Sequence, residues 1–141
     1  MGFVAEGARV VTDTFRSIDL VVGALRRKLL TEGAESLSIT EWHLLRVSHF
    51  LSAIGDGTLE RLLADTPQAE LVAIADGLDA INAPQAAASL RLATEAVVSA
   101  NEPGRGLRRA KTVETVARDL TTRMTWMRVG IEQRLQEYSL H

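Results

Sequence analysis

The chain has no cysteine, only 3 prolines, and 4% aromatic residues among its 141 residues. Without cysteine it can form no disulfide, no thiolate nucleophile and no cysteine-based metal site. No apolar run approaches the roughly 18 residues that a membrane span needs, and the N-terminus lacks the pattern of a signal peptide. These absences predict a cytoplasmic protein with no membrane segment.

The composition of the chain is that of an ordinary globular protein, with 46% hydrophobic and 24% charged residues. Its length suffices for one hydrophobic core, so we expect residues 1–141 to form a single domain. The formal net charge is only −2. At the level of the whole chain, this value favours neither a strongly basic nucleic-acid binder nor a strongly acidic protein.

The small net charge conceals an uneven distribution along the chain. Residues 1–40 carry five basic and five acidic side chains, whereas residues 41–103 carry three basic and nine acidic ones. Residues 104–141 carry eight basic and four acidic side chains. Two interpretations stay open: the acidic middle and the basic end pack against each other, or one of them faces a charged partner.

Apolar residues recur at steps of three and four along the chain, which predicts helices throughout. Ser38 and Glu41 have the capping-box spacing and predict the start of a second helix, which stops at residues 55–57. Asp56 is interpreted as a helix cap, and Thr66 as the cap of a fourth helix. The first apolar stripe consists of Val11, Phe15, Ile18, Val22, Leu25 and Leu29.

The second half of the chain predicts two features of the architecture. A tight break at residues 82–84 joins the fourth and fifth helices into an antiparallel αα-hairpin. A loop at residues 101–106 precedes a long basic helix over residues 107–138. The apolar stripe of this helix consists of Val113, Ala117, Leu120, Met124, Met127 and Ile131.

The last helix is longer than a domain of this size requires, because about 30 residues span roughly 45 Å. It either bends or breaks at Gly130, or it projects and pairs with a second subunit. Trp126 and Val129 lie off the main stripe and provide a second apolar face. The sequence therefore predicts an all-α domain of about six helices, with a central αα-hairpin and a long C-terminal helix, that forms a homodimer.

Residues that could support catalysis or metal binding are few and unfavourably spaced. His43 and His49 lie about 240° apart around a helix, and His141 is the last residue. Asp76 and Asp79 lie three residues apart and are interpreted as part of a solvated helix face. No serine has the setting of a nucleophile elbow. We therefore expect no enzyme activity, no metal and no cofactor.

The densest positive charge follows the predicted loop at residues 101–106. Four cations occur within seven residues near a helix start, an arrangement that favours phosphate and other anions. These cations are Arg105, Arg108, Arg109 and Lys111. Nucleic-acid or anion binding through this basic segment is therefore an alternative function.

Residues 56–65, DGTLERLLAD, resemble the signature Asn-Gly-Gly-Phe-x-Gln-Phe-Phe-x-Asn of the bacterial DNA-mimic-protein-like family. Residues 75–96, which begin ADGLDAINAP, resemble the next segment of that family, where a helix ends before an Ala-rich helix. The resemblance covers about residues 40–100, the acidic part of the chain. It implies an all-helical, dimeric protein that contacts another macromolecule, as a family member does at the DNA-binding surface of a repressor.

The favoured interpretation is a non-enzymatic protein–protein interaction module. Its acidic helices would contact a basic partner such as a DNA-binding regulator or a toxin. The side chains expected to make this contact are Asp56, Glu60, Asp65, Asp76 and Asp79. A further alternative is a small-ligand pocket lined by Trp42, His43 and His49.

Overall fold

The computed structural model of the chain describes residues 18–100 and 106–140, and this part contains six α-helices and no strand. The first helix, α1, comprises residues 18–32 of the described part. A short 3₁₀ turn at Ala34–Ser36 follows it. The remaining helices are α2 (Ile39–Asp56), α3 (Leu59–Asp65), α4 (Gln68–Ala80), α5 (Pro84–Ala100) and α6 (Gly106–Ser139). The predicted all-α architecture is confirmed.

The predicted stripe of α1 faces the core over its described part. Ile18, Val22 and Leu25 are buried, and Leu29 packs against the core from its edge. Val11 and Phe15, the first two members of that stripe, lie outside the described residues. Lys28 and Glu41 tie α1 to α2 through an ion pair of 3.4 Å.

The helix α2 begins and ends on local signals that the sequence contains. The Ser38 hydroxyl accepts a hydrogen bond of 3.1 Å from the Glu41 amide, and the Glu41 carboxylate accepts one of 3.0 Å from the Ser38 amide. The predicted capping box is therefore confirmed. At the other end, Gly57 has φ 70 and ψ 29, a left-handed conformation that glycine adopts without steric cost.

Two predicted caps are wrong. Thr66 does not cap α4, because α3 extends to Asp65 and the Thr66 amide still donates to the Leu62 carbonyl. Pro67 occupies the cap position of α4, where no side chain accepts a hydrogen bond. Asp56 does not cap α3 either, because α2 extends through Asp56 and the chain turns only at Gly57.

The helices α4 and α5 form the predicted antiparallel hairpin. The connection between them is short, and Asn82 adopts the left-handed conformation there with φ 70. The small side chains Ala86 and Ala87 are fully buried, which allows close packing of the pair. On its other side α4 packs against α2, where Gly77 lies directly opposite His43 and Val47.

The helix α6 is continuous through Gly130, so the helix does not break there. Its 34 residues span about 50 Å at the usual helical rise. It packs against α2, α3 and α5, and these contacts cover its apolar stripe. The buried residues on this stripe are Val113, Ala117, Leu120, Met124, Ile131 and Leu135.

The described helices share one hydrophobic core, whose largest fully buried members include Phe50, Leu71, Leu90 and Met124. Each of these residues comes from a different helix, so the core joins α2, α4, α5 and α6. None of the described helices combines the length and the apolar character needed to cross a membrane.

Candidate interaction surfaces

Three of the predicted acidic residues lie at the ends of α2 and α3. Asp56 ends α2, Glu60 lies in the first turn of α3, and Asp65 ends α3. All three are exposed, and none forms an ion pair or a side-chain hydrogen bond with another described residue. Asp56 and Asp65 line a shallow groove of about 310 Å³ between the two helices. We call Asp56, Glu60 and Asp65 the acidic edge.

The other two predicted acidic residues, Asp76 and Asp79, have a cationic partner. The guanidinium of Arg91 on α5 lies 3.0 Å from the Asp76 carboxylate and 2.6 Å from that of Asp79. The hydrogen bond to Asp79, followed by the one to Asp76, raises the pKa of Arg91. Both carboxylates remain exposed, as the sequence predicted, but Arg91 offsets part of their charge.

The fold also separates the two acidic groups in space. Gly77, which adjoins Asp76, packs against His43 near the start of α2, whereas Asp56 ends the same helix. At the usual helical rise these two positions on α2 lie about 20 Å apart. The five predicted acidic residues therefore form two groups and not one continuous surface.

Arg109 of the basic segment contacts the acidic part of the chain. The Arg109 guanidinium donates a hydrogen bond of 3.1 Å to the Ala64 carbonyl, near the C-terminal end of α3. A cation is favourable there because carbonyl groups without helical partners concentrate negative charge at a helix end. Arg108 and Lys111 are exposed, and Arg105 lies outside the described residues.

The helix α6 also neutralises part of its own charge. Arg118 pairs with Glu114, and Arg128 pairs with Glu132, each at 3.0 Å and four residues apart. Asp119 is exposed and forms no described ion pair. The basic end of the chain therefore packs against α2, α3 and α5 of the acidic middle and also carries internal ion pairs.

The three residues predicted to line a small-ligand pocket do not converge. Trp42 and His49 line a groove of about 320 Å³ between α1, α2 and α4, but His43 is not part of that groove. An organised cluster occupies its wall: the Arg46 guanidinium lies 4.7 Å from the Trp42 ring centre and 2.8 Å from the Glu70 carboxylate. This cluster joins α2 to α4.

His43, which belongs to α2, instead faces α4 and the end of α6. Its ring meets the Tyr138 ring edge-on, with 6.4 Å between the ring centres. Its Nδ1 atom is buried and has no hydrogen-bond partner among the described groups. Burial, and then the charge of Arg46, lower the pKa of His43, and Asp76 opposes this effect. In the described part of the chain, no cluster of three or more His, Asp or Glu residues could hold a metal ion.

The largest side chain among the exposed hydrophobic residues of the described part is Trp126 on α6. Trp126 is 87% exposed and Val129 is 64% exposed, so the predicted second apolar face of this helix faces solvent. Next to Trp126, a groove of about 340 Å³ lies between α6 and the turn that joins α4 to α5. A second groove of about 170 Å³ continues along α5 and α6. We call this grooved face the α5–α6 seam.

Leu92 is 60% exposed and lines the second groove, a position that the sequence patterns did not predict. One signal was present in the sequence. Leu92 lies two residues after Leu90 and one before Ala93, both of which are buried, so it falls outside the apolar stripe of α5.

Comparison with protein-family models, with curated proteins and with solved structures finds no match to this chain. The resemblance of residues 40–100 to the DNA-mimic-protein-like family therefore stays a prediction. The candidate interaction surfaces of the molecule are the acidic edge, the basic segment and the α5–α6 seam.

Proposed function

We propose that the chain is a non-enzymatic interaction module that binds a basic partner protein through the acidic edge. The observation that carries this proposal is the exposure of Asp56, Glu60 and Asp65 without a cationic partner among the described residues. Such carboxylates can accept charge-assisted hydrogen bonds from Arg or Lys without first losing an internal ion pair. Asp76 and Asp79 would have to release Arg91.

The chemistry of the acidic edge favours a partner with a local cluster of Arg or Lys. We propose a cytoplasmic DNA-binding regulator, whose Lys and Arg side chains neutralise phosphates, or a toxin with a similar basic surface. Duplex DNA carries one charge per about 1.7 Å of its axis, whereas the acidic edge has three carboxylates. The proposed contact is therefore confined to one patch of the partner.

Affinity capture from native cytosol with matched variants tests this proposal. The test variant carries Asp56→Asn, Glu60→Gln and Asp65→Asn. The control variant carries Glu32→Gln, Glu35→Gln and Glu95→Gln, which remove three exposed carboxylates that form no described ion pair. We expect a partner protein that the wild type and the control retain at low salt, that high salt releases, and that the test variant loses.

Three results would contradict the proposal: no retained protein, retention by both variants, or equal loss from both. Loss from the control alone would place the binding surface elsewhere. Circular dichroism of both variants checks that the helical fold is unchanged, so that loss of binding reports on the charge alone.

Anion binding through the basic segment is the alternative proposal. Its support is the exposure of Arg108 and Lys111, which lie three residues apart and therefore on one side of α6. Replacement of both residues by Ala should abolish a low-salt gel shift with duplex DNA if this alternative is correct. A shift of equal strength for the wild type and the double variant would dismiss it.

We also propose that the chain forms a homodimer. The support is the exposure of Trp126, because large aromatic side chains exposed beside other apolar groups are typical of interaction surfaces. Sedimentation of the full chain over a range of concentrations measures the oligomeric state directly. A concentration-independent monomer would overturn the homodimer without affecting the proposed role of the acidic edge.

A further inference from the structure

We infer that two copies of the chain pair antiparallel along the α5–α6 seam, with Trp126 of each copy packed into the groove of the other. This inference rests on the proposed homodimer and names its surface. The supporting observation is that the indole of Trp126, which is 87% exposed, lies beside a groove of about 340 Å³ on the same face. A protrusion and a recess on the same face are what a two-fold symmetric interface requires.

Small residues form part of the wall of this groove, next to the larger side chains of Met127, Ile131 and Arg134. Ala83, Pro84 and Ala86 contribute from the turn and from α5, and Gly130 contributes from α6. A Cβ atom added at Gly130 would have no neighbour within 4 Å. The groove is therefore open beside Gly130, and we infer that the indole of a second copy enters it there.

The charges along α6 favour one register of the two copies. In an antiparallel pair, a residue that lies a given number of positions before the two-fold axis in one copy is opposite a residue of the other copy. That second residue lies the same number of positions after the axis. An axis between Trp126 and Met127 sets Asp119 of each copy opposite Arg134 of the other. An axis at residue 128 would instead set Asp119 opposite Glu137, so like charges would oppose each other.

Asp119 and Arg134 are available for this pairing. Both are exposed, and neither forms an ion pair with another described residue, in contrast to Arg118 and Arg128 on the same helix. The favoured register forms two Asp119–Arg134 pairs, one on each side of the axis.

Burial of Trp126 supplies part of the area that a stable dimer needs. A tryptophan buries about 150–250 Å² in a packed interface, so the two copies of Trp126 account for roughly 300–500 Å². Specific interfaces bury about 1,200–2,000 Å² in total. The same register sets the second groove, with Leu92, against the groove beside Trp126 in the other copy. The further area comes from Leu92, Val129 and the α4–α5 turn.

Charge reversal with rescue tests the register on the full chain. Asp119→Arg and Arg134→Asp each replace two attractions by two repulsions in the dimer. We expect either variant alone to raise the dimer dissociation constant about tenfold or more in sedimentation equilibrium. The double variant D119R/R134D should recover affinity to within about threefold of the wild type. Glu35→Arg, which lies in the 3₁₀ turn, is the control and should leave the dimer unchanged.

Trp126→Ala tests the packing of the indole. Loss of a central tryptophan typically weakens an interface by about 30-fold or more. Because Trp126 is almost fully exposed in the single chain, its replacement should leave the thermal midpoint of the dissociated monomer unchanged. A dimer that is lost while the monomer keeps its stability supports the inference.

The outcomes separate this inference from the proposals on which it rests. If the wild type stays a monomer at all concentrations, both the homodimer and the proposed dimer surface are overturned. A wild-type dimer that is insensitive to Trp126→Ala overturns the surface alone. Failure of D119R/R134D to recover affinity overturns the register. None of these results changes the outcome expected for capture through the acidic edge.

Discussion

His43 shows how a single residue acquires a property from contacts that are distant in sequence. Its neighbours include Gly77 on α4 and Tyr138 on α6, and the charged groups that act on it are Arg46 and Asp76. Burial is the largest cause of its lowered pKa, because a partly desolvated ring disfavours the charged form. The neutral imidazole is therefore the form that the fold accommodates.

This lowered pKa predicts a pH-dependent contribution to stability. Between the folded-state pKa and the ordinary value of 6.5, the unfolded chain binds more protons at His43 than the folded chain does. The stability contribution is thus present above pH 6.5 and is lost as the pH falls toward the folded-state pKa. From about pH 7.5 to 5.5, the free energy of unfolding should fall less for His43→Gln than for the wild type.

Denaturant unfolding of the variants at several pH values measures this slope. His49→Gln is the matched control, since His49 lies on the same helix but is exposed. It should reproduce the slope of the wild type. If His43→Gln has the wild-type slope as well, the account of the His43 environment is wrong.

Residue-scale features could be predicted where both partners are close in sequence. The capping box was predictable because Ser38 and Glu41 lie three residues apart. The caps predicted at Asp56 and Thr66 are wrong because α2 continues through Asp56 and α3 continues to Asp65. The setting of His43 could not be predicted, since it depends on which helices meet.

At the scale of the elements, periodicity predicts each helix but not its packing partner. Gly77, inside α4, lies in the contact between α2 and α4. A Cβ atom at this position would lie 3.2 Å from the Val47 side chain and 3.3 Å from the His43 ring. The glycine therefore lets two helices approach at a point where any larger residue would overpack the contact.

Two glycine-to-alanine changes separate packing from helix propensity. Gly23→Ala should stabilise the protein by up to about 1 kcal/mol, because alanine favours helix and the added Cβ has no neighbour within 4 Å. Gly77→Ala gains the same propensity but must displace its neighbours. It should therefore be less stable than Gly23→Ala by about 1–3 kcal/mol in denaturant unfolding. Equal stability of the two variants would contradict the close approach of α2 and α4.

At the scale of the whole molecule, the fold determines which charged residues form pairs. The sequence shows an acidic middle and a basic end but not which charges meet. The hairpin brings Arg91 to Asp76 and Asp79, twelve or more residues earlier in the chain, and α6 brings Arg109 to the end of α3. Of the five acidic residues predicted to contact a partner, the three without a described ion pair form the acidic edge, which the segment count could not isolate.

The central claim is that the acidic edge binds a basic partner. Its most direct test is the salt dependence of binding between the captured partner and the wild type, the test variant and the control variant. For the wild type and the control, affinity should fall steeply from low salt to about 0.5 M salt, because screening weakens exposed charge pairs. The variant D56N/E60Q/D65N should bind weakly at low salt and show little further loss. Equal affinity and equal salt dependence of all three proteins would contradict the claim.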